Sequence, residues 1–282
     1  MTLETIRLRF EDVLAEHYTQ EEIRQHFADL CEHYFGLQPA IVVLDLHKHI
    51  NNENAAKLIS ALDKLRQHIP IQYIIGQVLF AQATIQVNKH VLIPRPETEQ
   101  LVHYILENNP ADKPLRVLDI GTGSGCIAIA LKKARPNWQL SAWELDAHAL
   151  SVAQQNSQRN NTDINFNQID VLSTSLPDNI WDIIVANPPY VPNALKENTA
   201  AHVITQEPLA AIFVPDDTPL IFYESIVAYA QYCLASKGRL FFEGHDTLMK
   251  SLAKFLEQQG FCDIVQLNDF RGYPRFIDAT KA

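Results

Sequence analysis

Residues 115 to 133 confine this chain to a narrow set of folds. The apolar run Leu115-Arg-Val-Leu-Asp-Ile120 leads into Gly121-Thr-Gly-Ser-Gly125, and Cys126-Ile-Ala-Ile-Ala-Leu-Lys-Lys133 continues as an apolar helix with a basic end. Buried strand, glycine turn and helix in immediate succession read as the first βα turn of a doubly wound sheet. Glycine lets the backbone of such a turn approach a ligand closely, and the helix N-terminus favours a negative ligand group.

Which ligand is bound depends on the details. The glycines run G-x-G-x-G rather than G-x-G-x-x-G, and Asp119 stands at the strand end, where a dinucleotide's pyrophosphate would be repelled. An acid there suits a cation. S-adenosylmethionine is such a ligand: its sulfonium and ammonium are positive, its carboxylate can use the helix end, and it carries no phosphate. A second strand, Gln139-Leu-Ser-Ala-Trp143, ends at Glu144, placed to accept hydrogen bonds from ribose hydroxyls. A third, Ile164-Asn-Phe-Asn-Gln-Ile169, ends at Asp170, placed for the adenine amine edge. Solvated loop acid is the usual fate of Asp and Glu, but their positions after successive strands favour the ligand reading. The expected cofactor contacts are Asp119, Gly121, Thr122, Gly123, Glu144 and Asp170.

The tetrapeptide Asn187-Pro188-Pro189-Tyr190 follows the apolar run Trp181-Asp-Ile-Ile-Val-Ala186. It therefore sits just past the carboxyl end of a buried strand, where open α/β sheets bind ligands. The side-chain oxygen of Asn187 and the carbonyl of Pro188 can accept the two N–H bonds of an amide or an exocyclic amine. Two prolines in a row hold those acceptors stiffly, and the Tyr190 ring can lie on the flat face of the nitrogen-bearing group. A proline-rich turn closing a strand would use the same residues, so it is the upstream glycine turn that gives the tetrapeptide its chemical reading.

Together these features resemble the class I S-adenosylmethionine-dependent methyltransferases. Pro70-Ile-Gln-Tyr-Ile-Ile-Gly76, Phe80, Leu92-Ile-Pro-Arg-Pro-Glu-Thr-Glu99, Glu207-Pro208-Leu209 and Asp269-Phe-Arg-Gly272-Tyr-Pro-Arg275 narrow the resemblance. They are similar to the HemK/PrmC family, the N5-glutamine methyltransferases that modify the Gly-Gly-Gln glutamine of peptide chain release factors. The match spans roughly residues 70 to 280. The resemblance implies S-adenosylmethionine as cofactor, release factors as protein partners, and Asn187, Pro188, Pro189 and Tyr190 as the substrate-holding residues. It also implies that Asn187, Phe80 and Arg95 stand close to the cofactor, Arg95 being equally able to pair with a neighbouring acid or meet protein substrate. Three departures stand out. Glu144 replaces the family's usual Asp, Glu243-Gly244-His245 stands where Glu-His-Gly is common, and Gln77-Val78-Leu79 lacks an acidic residue often found there.

The fold implied is α/β: a class I, Rossmann-like, seven-stranded sheet with a small N-terminal helical domain. Strands are expected near 115–120, 139–144, 164–169, 181–186, 239–243, 262–267 and 274–279, the last antiparallel. Residues 1–72 read as the helical domain. Thr19-Gln-Glu-Glu22 starts one helix that runs to Gly36, Leu58, Leu62, Leu65 and Ile69 write a second, and Leu3, Ile6, Phe10, Val13 and Leu14 a third. That domain is either a stabilising appendage or, as the resemblance implies, a docking surface for protein substrate. Residues 73–93 are expected as a β-hairpin linker built on Ile85-Gln-Val87 and Val91-Leu-Ile93, and 94–282 as the catalytic domain, with a helix over Thr98 to Leu106. The stretch from Val191 to Pro219 reads as a long loop that covers substrate.

A chain of 282 residues with 47% hydrophobic content suits about two packed domains. Net charge −10 opposes a nucleic-acid footprint, so an N6-adenine or N4-cytosine methyltransferase is the rival reading and a non-catalytic adaptor that binds S-adenosylmethionine a second. No apolar run approaches spanning length, and four scattered cysteines imply reduced thiols. A cytoplasmic monomer that binds neither membrane nor nucleic acid is expected. Cys126 reads as a small buried helix residue. No metal is expected, since His47 and His49 lack carboxylate or cysteine company.

Overall fold

Short-range signals in the first 76 residues translate directly into helices. The computed structural model describes residues 1–44, 46–173, 175–198 and 201–282, and these separate into two units. The first holds residues 1–76 together with 201–206, the second the rest. In the first unit, α1 (Leu3–Leu14) turns Leu3, Ile6, Phe10 and Leu14 inward. In α2 (Gln20–Phe35) Thr19 Oγ1 accepts from the Glu22 N–H, Glu22 accepts from the Thr19 N–H, and Gly36 closes the far end at φ 66°. After α3 (Pro39–Leu44) comes α4 (Asn52–Arg66), capped by Asn51. His68, at φ 60°, stops it, so Ile69 lies beyond the helix that its spacing had extended to it. The short α5 (Ile71–Ile75) ends at Gly76. Phe10 meets Phe27 edge to face at 5.3 Å, and Leu30, Leu58, Leu62 and Leu65 complete a dry core.

The second unit opens with a hairpin of β1 (Gln77–Phe80) and β2 (Ala83–Gln86). The hairpin lies within the expected linker, but its strands are not the expected 85–87 and 91–93. Ala81 and Gln82 both take positive φ, so the chain reverses there in two residues, and Val91 and Ile93 become buried loop residues instead of a second strand. Then follow α6 (Pro96–Glu107), β3 (Arg116–Ile120), α7 (Cys126–Ala134), β4 (Gln139–Glu144), α8 (Ala147–Arg159), β5 (Ile164–Gln168) and β6 (Trp181–Ala186). The stretch expected as loop contains β7 (Val191–Pro192), a 3-10 turn, α9 (Ala201–Gln206) and β8 (Phe213–Val214), the last pairing with β7. The chain closes with α10 (Ile221–Cys233), β9 (Leu234–Glu243), α11 (Met249–Gln258), β10 (Phe261–Asn268) and β11 (Pro274–Lys281).

The central sheet has seven strands in the order β10-β11-β9-β6-β3-β4-β5, and only β11 runs against its neighbours. Alternation along the strands assigns the two faces. Leu118, Ile120, Ile184, Ala186, Leu240 and Phe242 pack with α10 and α11 through Tyr223, Ile226, Leu252 and Leu256. On the other face Phe241 meets Tyr104 of α6, and Asp119 reaches the backbone of Ala128 in α7. Residue parity therefore buries Asp119 and Glu243 on one side of the sheet, beneath α6 and α7.

Candidate active site

Parallel register brings the chemistry-bearing residues to one edge. Ile120 pairs with Trp143 on one side and with Ala186 on the other, and Ala186 pairs with Phe242. The next residue in each strand is thus Glu144, Gly121, Asn187 and Glu243, on strands about 4.8 Å apart. Asp170 lies two residues past the end of the outer β5, and Arg275, at the start of antiparallel β11, lies beside Gly244.

At the glycine turn the N–H groups of Gly121 and Thr122 both donate to the Trp143 carbonyl, 2.9 and 3.0 Å away. Glu144 accepts from Gly123 N–H at 2.8 Å and, with its other oxygen, from Leu145 and Asp146 N–H. Its carboxylate therefore shapes the turn as well as facing the edge. Gly125 suits this turn: at φ 81° an L side chain is strained, and a Cβ would lie 3.2 Å from that of Ala153 and 3.1 Å from Ile129 Cδ1.

Asp119 is fully buried. One oxygen accepts from Thr122 Oγ1 at 2.6 Å, and the other has no partner. Burial pushes its carboxyl up to about 7, against the hydrogen bond from Thr122 and the nearby Ala128 N–H, with Glu144 adding repulsion. A buried acceptor with a lone pair unsatisfied, in a turn of glycines, fits a ligand ammonium. Asp170 accepts from the Leu172 N–H at 2.9 Å and so starts a turn at the far end of the edge.

Asn187 is half-buried. Its amide nitrogen donates to Thr98 Oγ1 at 3.2 Å, on the side facing the Glu243 carboxylate. Its oxygen, and the carbonyl of Pro188, accept from no described residue. Tyr190 sits with its ring centroid 6.3 Å from that of His245 and its hydroxyl on Arg275. Burial, then the Glu243 charge, raises its pKa above the ordinary tyrosine value, and Arg275 opposes them. A hollow of about 240 Å³ opens beside it, between His245, Arg271, Tyr273 and Arg275.

Four residues that sequence reasoning left without a role belong to this edge. Glu243, 1% exposed, accepts from Thr98 Oγ1 at 2.8 Å. Burial lifts its carboxyl to about 7, while Thr98, Arg275 and Asn187 pull it down and Glu97 pushes it up. Thr98 is buried in the first turn of α6. Asp269 braces Arg275 at 3.3 Å, and the N–H groups of Tyr273 and Arg271 and the guanidinium outweigh its burial and hold it below the ordinary carboxylate value. One signal for Glu243 was present: like Asp119 and Glu144, it is an acid closing an apolar strand.

Two further expected cofactor contacts have partners within the protein. The Arg95 guanidinium is bound to Glu207 at 2.6 Å, and the other Glu207 oxygen takes the Ile93 N–H at 3.1 Å. Arg95 thus braces the loop before α6, because the fully buried Glu207 side chain requires a cation. Phe80 is 2% exposed and packs as a core side chain of the hairpin. Cys126 is buried, its thiol pushed up to about 12 by burial first and by Asp119 next.

A glycine turn beside an acid and an Asn-Pro-Pro-Tyr strand end define a methyltransferase, and residues 98–212 match the family described as Methyltransferase small domain. Residues 6–76 match the PrmC N-terminal domain. The chain belongs to the release factor glutamine methyltransferases. It is 37% identical to the release factor glutamine methyltransferase of Flavobacterium psychrophilum, over 98% of each chain, and 33% identical to that of Bacteroides thetaiotaomicron, again over 98% of each. The fold is shared more widely. The hMettl16 catalytic domain, solved in complex with MAT2A 3'UTR hairpin 6, superposes with a TM-score of 0.56 at 19% identity, covering 82% of each chain.

Proposed function

We propose that this chain transfers the methyl group of S-adenosylmethionine to the side-chain amide nitrogen of the Gly-Gly-Gln glutamine of peptide chain release factors. The observation that carries this reading is the polarity of Asn187: its nitrogen is held inward, while its oxygen and the Pro188 carbonyl are both free to accept. Two acceptors one residue apart suit the two N–H bonds of a primary amide.

S-adenosylmethionine, when bound, supplies an electrophilic methyl on a positively charged sulfur. Asp119, through its unpartnered oxygen, would hold the ammonium, the Gly121–Gly123 turn would bring the backbone close, and Glu144 and Asp170 would meet the ribose and the adenine. Asn187 and Pro188 would fix the glutamine amide and accept more strongly as positive charge grows on its nitrogen. That nitrogen shares its lone pair with the carbonyl, so orientation and charge stabilisation are the help it needs. Tyr190 would cover one face of the amide. The amide nitrogen would gain the methyl carbon and lose one proton to solvent while Asn187 and Pro188 hold it, the electron pair of the broken carbon–sulfur bond staying on sulfur.

The helical unit is read as the part that docks protein substrate, and the four free cysteines suit a reducing cytoplasm. Among the described residues no helix is long and apolar enough to cross a membrane. The test is mass spectrometry of the Gly-Gly-Gln peptide after incubation with release factor and labelled S-adenosylmethionine, with total RNA and DNA as parallel substrates. One added methyl on the glutamine nitrogen is expected. Label in nucleic acid and none in release factor would refute the reading.

A further inference from the structure

Glu243 is a buried carboxylate next to the reacting strand end, and the methyl transfer just described gives it no task. Its surroundings do. The single proton of Thr98 Oγ1 is donated to Glu243, 2.8 Å away. The threonine oxygen can then only accept, and what it accepts is the Asn187 amide N–H at 3.2 Å. Glu243, when ionised, is acceptor-only too. Were the Asn187 carboxamide turned over, its oxygen would face two oxygens with no proton between them.

We propose that Glu243, acting with Thr98, is a positioning residue: it captures the Asn187 carboxamide by its nitrogen and so keeps the oxygen turned towards the amide to be methylated. This deepens the proposed function and rests on it. The ionised carboxylate is what selects one orientation. Once protonated, Glu243 can donate to Thr98, Thr98 can donate its own hydroxyl hydrogen bond to the Asn187 oxygen, and the carboxamide can settle with its nitrogen outward, where it would repel a substrate N–H. The groups facing Glu243 are Thr98 and Glu97 of α6, Cys126 of α7, Tyr190 and Asn187 after β6, Tyr223 of α10 and Arg275 of β11. Tyr223 donates its hydroxyl proton to the Glu243 backbone carbonyl at 2.9 Å, which fixes the main chain there. Glu97 and burial favour the protonated form and Arg275 the ionised one, leaving the balance near neutrality.

The experiment uses the full chain with intact release factor at saturating S-adenosylmethionine, comparing wild type, Glu243→Gln, Thr98→Val and Thr98→Ser. Glu243→Gln keeps the shape and removes the charge. Its kcat is expected to fall about tenfold to a hundredfold, with the Kd for S-adenosylmethionine and the thermal midpoint close to wild type. Thr98→Val should lose about as much. Thr98→Ser, which keeps the hydroxyl, should stay within about threefold, and the Thr98→Val, Glu243→Gln pair should be no worse than either alone. In wild type kcat should decline as pH falls through about 7, the point to which Glu243 is lifted, and that acid limb should vanish in Glu243→Gln. A purely structural role would move none of the pH profile. Folded variants with wild-type kcat and an unchanged acid limb would overturn the proposal while leaving the function standing. A wild-type protein that leaves glutamine unmethylated would overturn the function, and this proposal with it.

Discussion

The glycine turn and the Asn-Pro-Pro-Tyr strand end lie on neighbouring strands, and each is built over a buried carboxylate that burial lifts to about 7. They differ in what those carboxylates touch. Asp119 leaves one oxygen without a partner, whereas Glu243 accepts from Thr98, which in turn accepts from Asn187. An unsatisfied buried acceptor is costly unless something arrives to meet it, so the first carboxylate is read as facing a ligand. A satisfied one rigidifies its neighbours, so the second is read as acting through another residue. The same sheet edge thus separates binding from orientation.

That division can be broken by substitution. Asn187→Ala should cut kcat by about a hundredfold or more, near 3 kcal/mol of transition-state stabilisation, and leave the Kd for S-adenosylmethionine, measured by calorimetry, almost unchanged. Comparable losses in both would erase the distinction. Asp119→Asn should do the reverse, weakening that Kd by roughly thirtyfold, about 2 kcal/mol, with a smaller change in kcat at saturation.

The same Asp119 variant carries a stability signature. A carboxyl raised to about 7 in the folded state binds its proton more tightly there than in the unfolded chain, so its contribution is fully present below about pH 4 and is lost as pH rises through 7. Without ligand, Asp119→Asn should therefore melt higher than wild type at pH 8, and the gap should close towards pH 5. Equal midpoints at both pH values would contradict the burial argument. Gly125→Ala should cost about 1 to 2 kcal/mol of stability, because its φ of 81° strains an L side chain and the 3.2 Å approach to Ala153 forces a neighbour to shift. The smallest effect belongs to Tyr190→Phe, which keeps the ring and loses the hydroxyl bond to Arg275. Its kcat should fall by less than about tenfold, and a larger loss would give the hydroxyl a part in the chemistry.

Much of the frame was legible because it is written in local pattern. The seven sheet strands, the capping box at Thr19 and the stop at Gly36 each follow from residues a few positions apart. The hairpin was misread because its turn uses Ala81 and Gln82 at positive φ, where composition signals only Gly, Asn or Asp. α3 and α5 are six and five residues long, too short to show a period. The acceptors at Asn187 and Pro188 were visible as chemistry, but their anchoring was not: Thr98 and Glu243 are 145 positions apart in the sequence. Arg95 was ambiguous for the same reason, since Glu207 lies 112 positions on. Polar partners that meet only through tertiary contact leave no periodic trace.

The most direct measurement of the central claim is a crystal structure of the chain with S-adenosylhomocysteine and a peptide carrying Gly-Gly-Gln. The glutamine nitrogen should lie about 2.7 to 3.2 Å from both Asn187 Oδ1 and the Pro188 carbonyl, with the Asn187 nitrogen still on Thr98 and Thr98 still on Glu243. A glutamine amide bound through its oxygen to the Asn187 nitrogen, or seated away from this strand end, would contradict it.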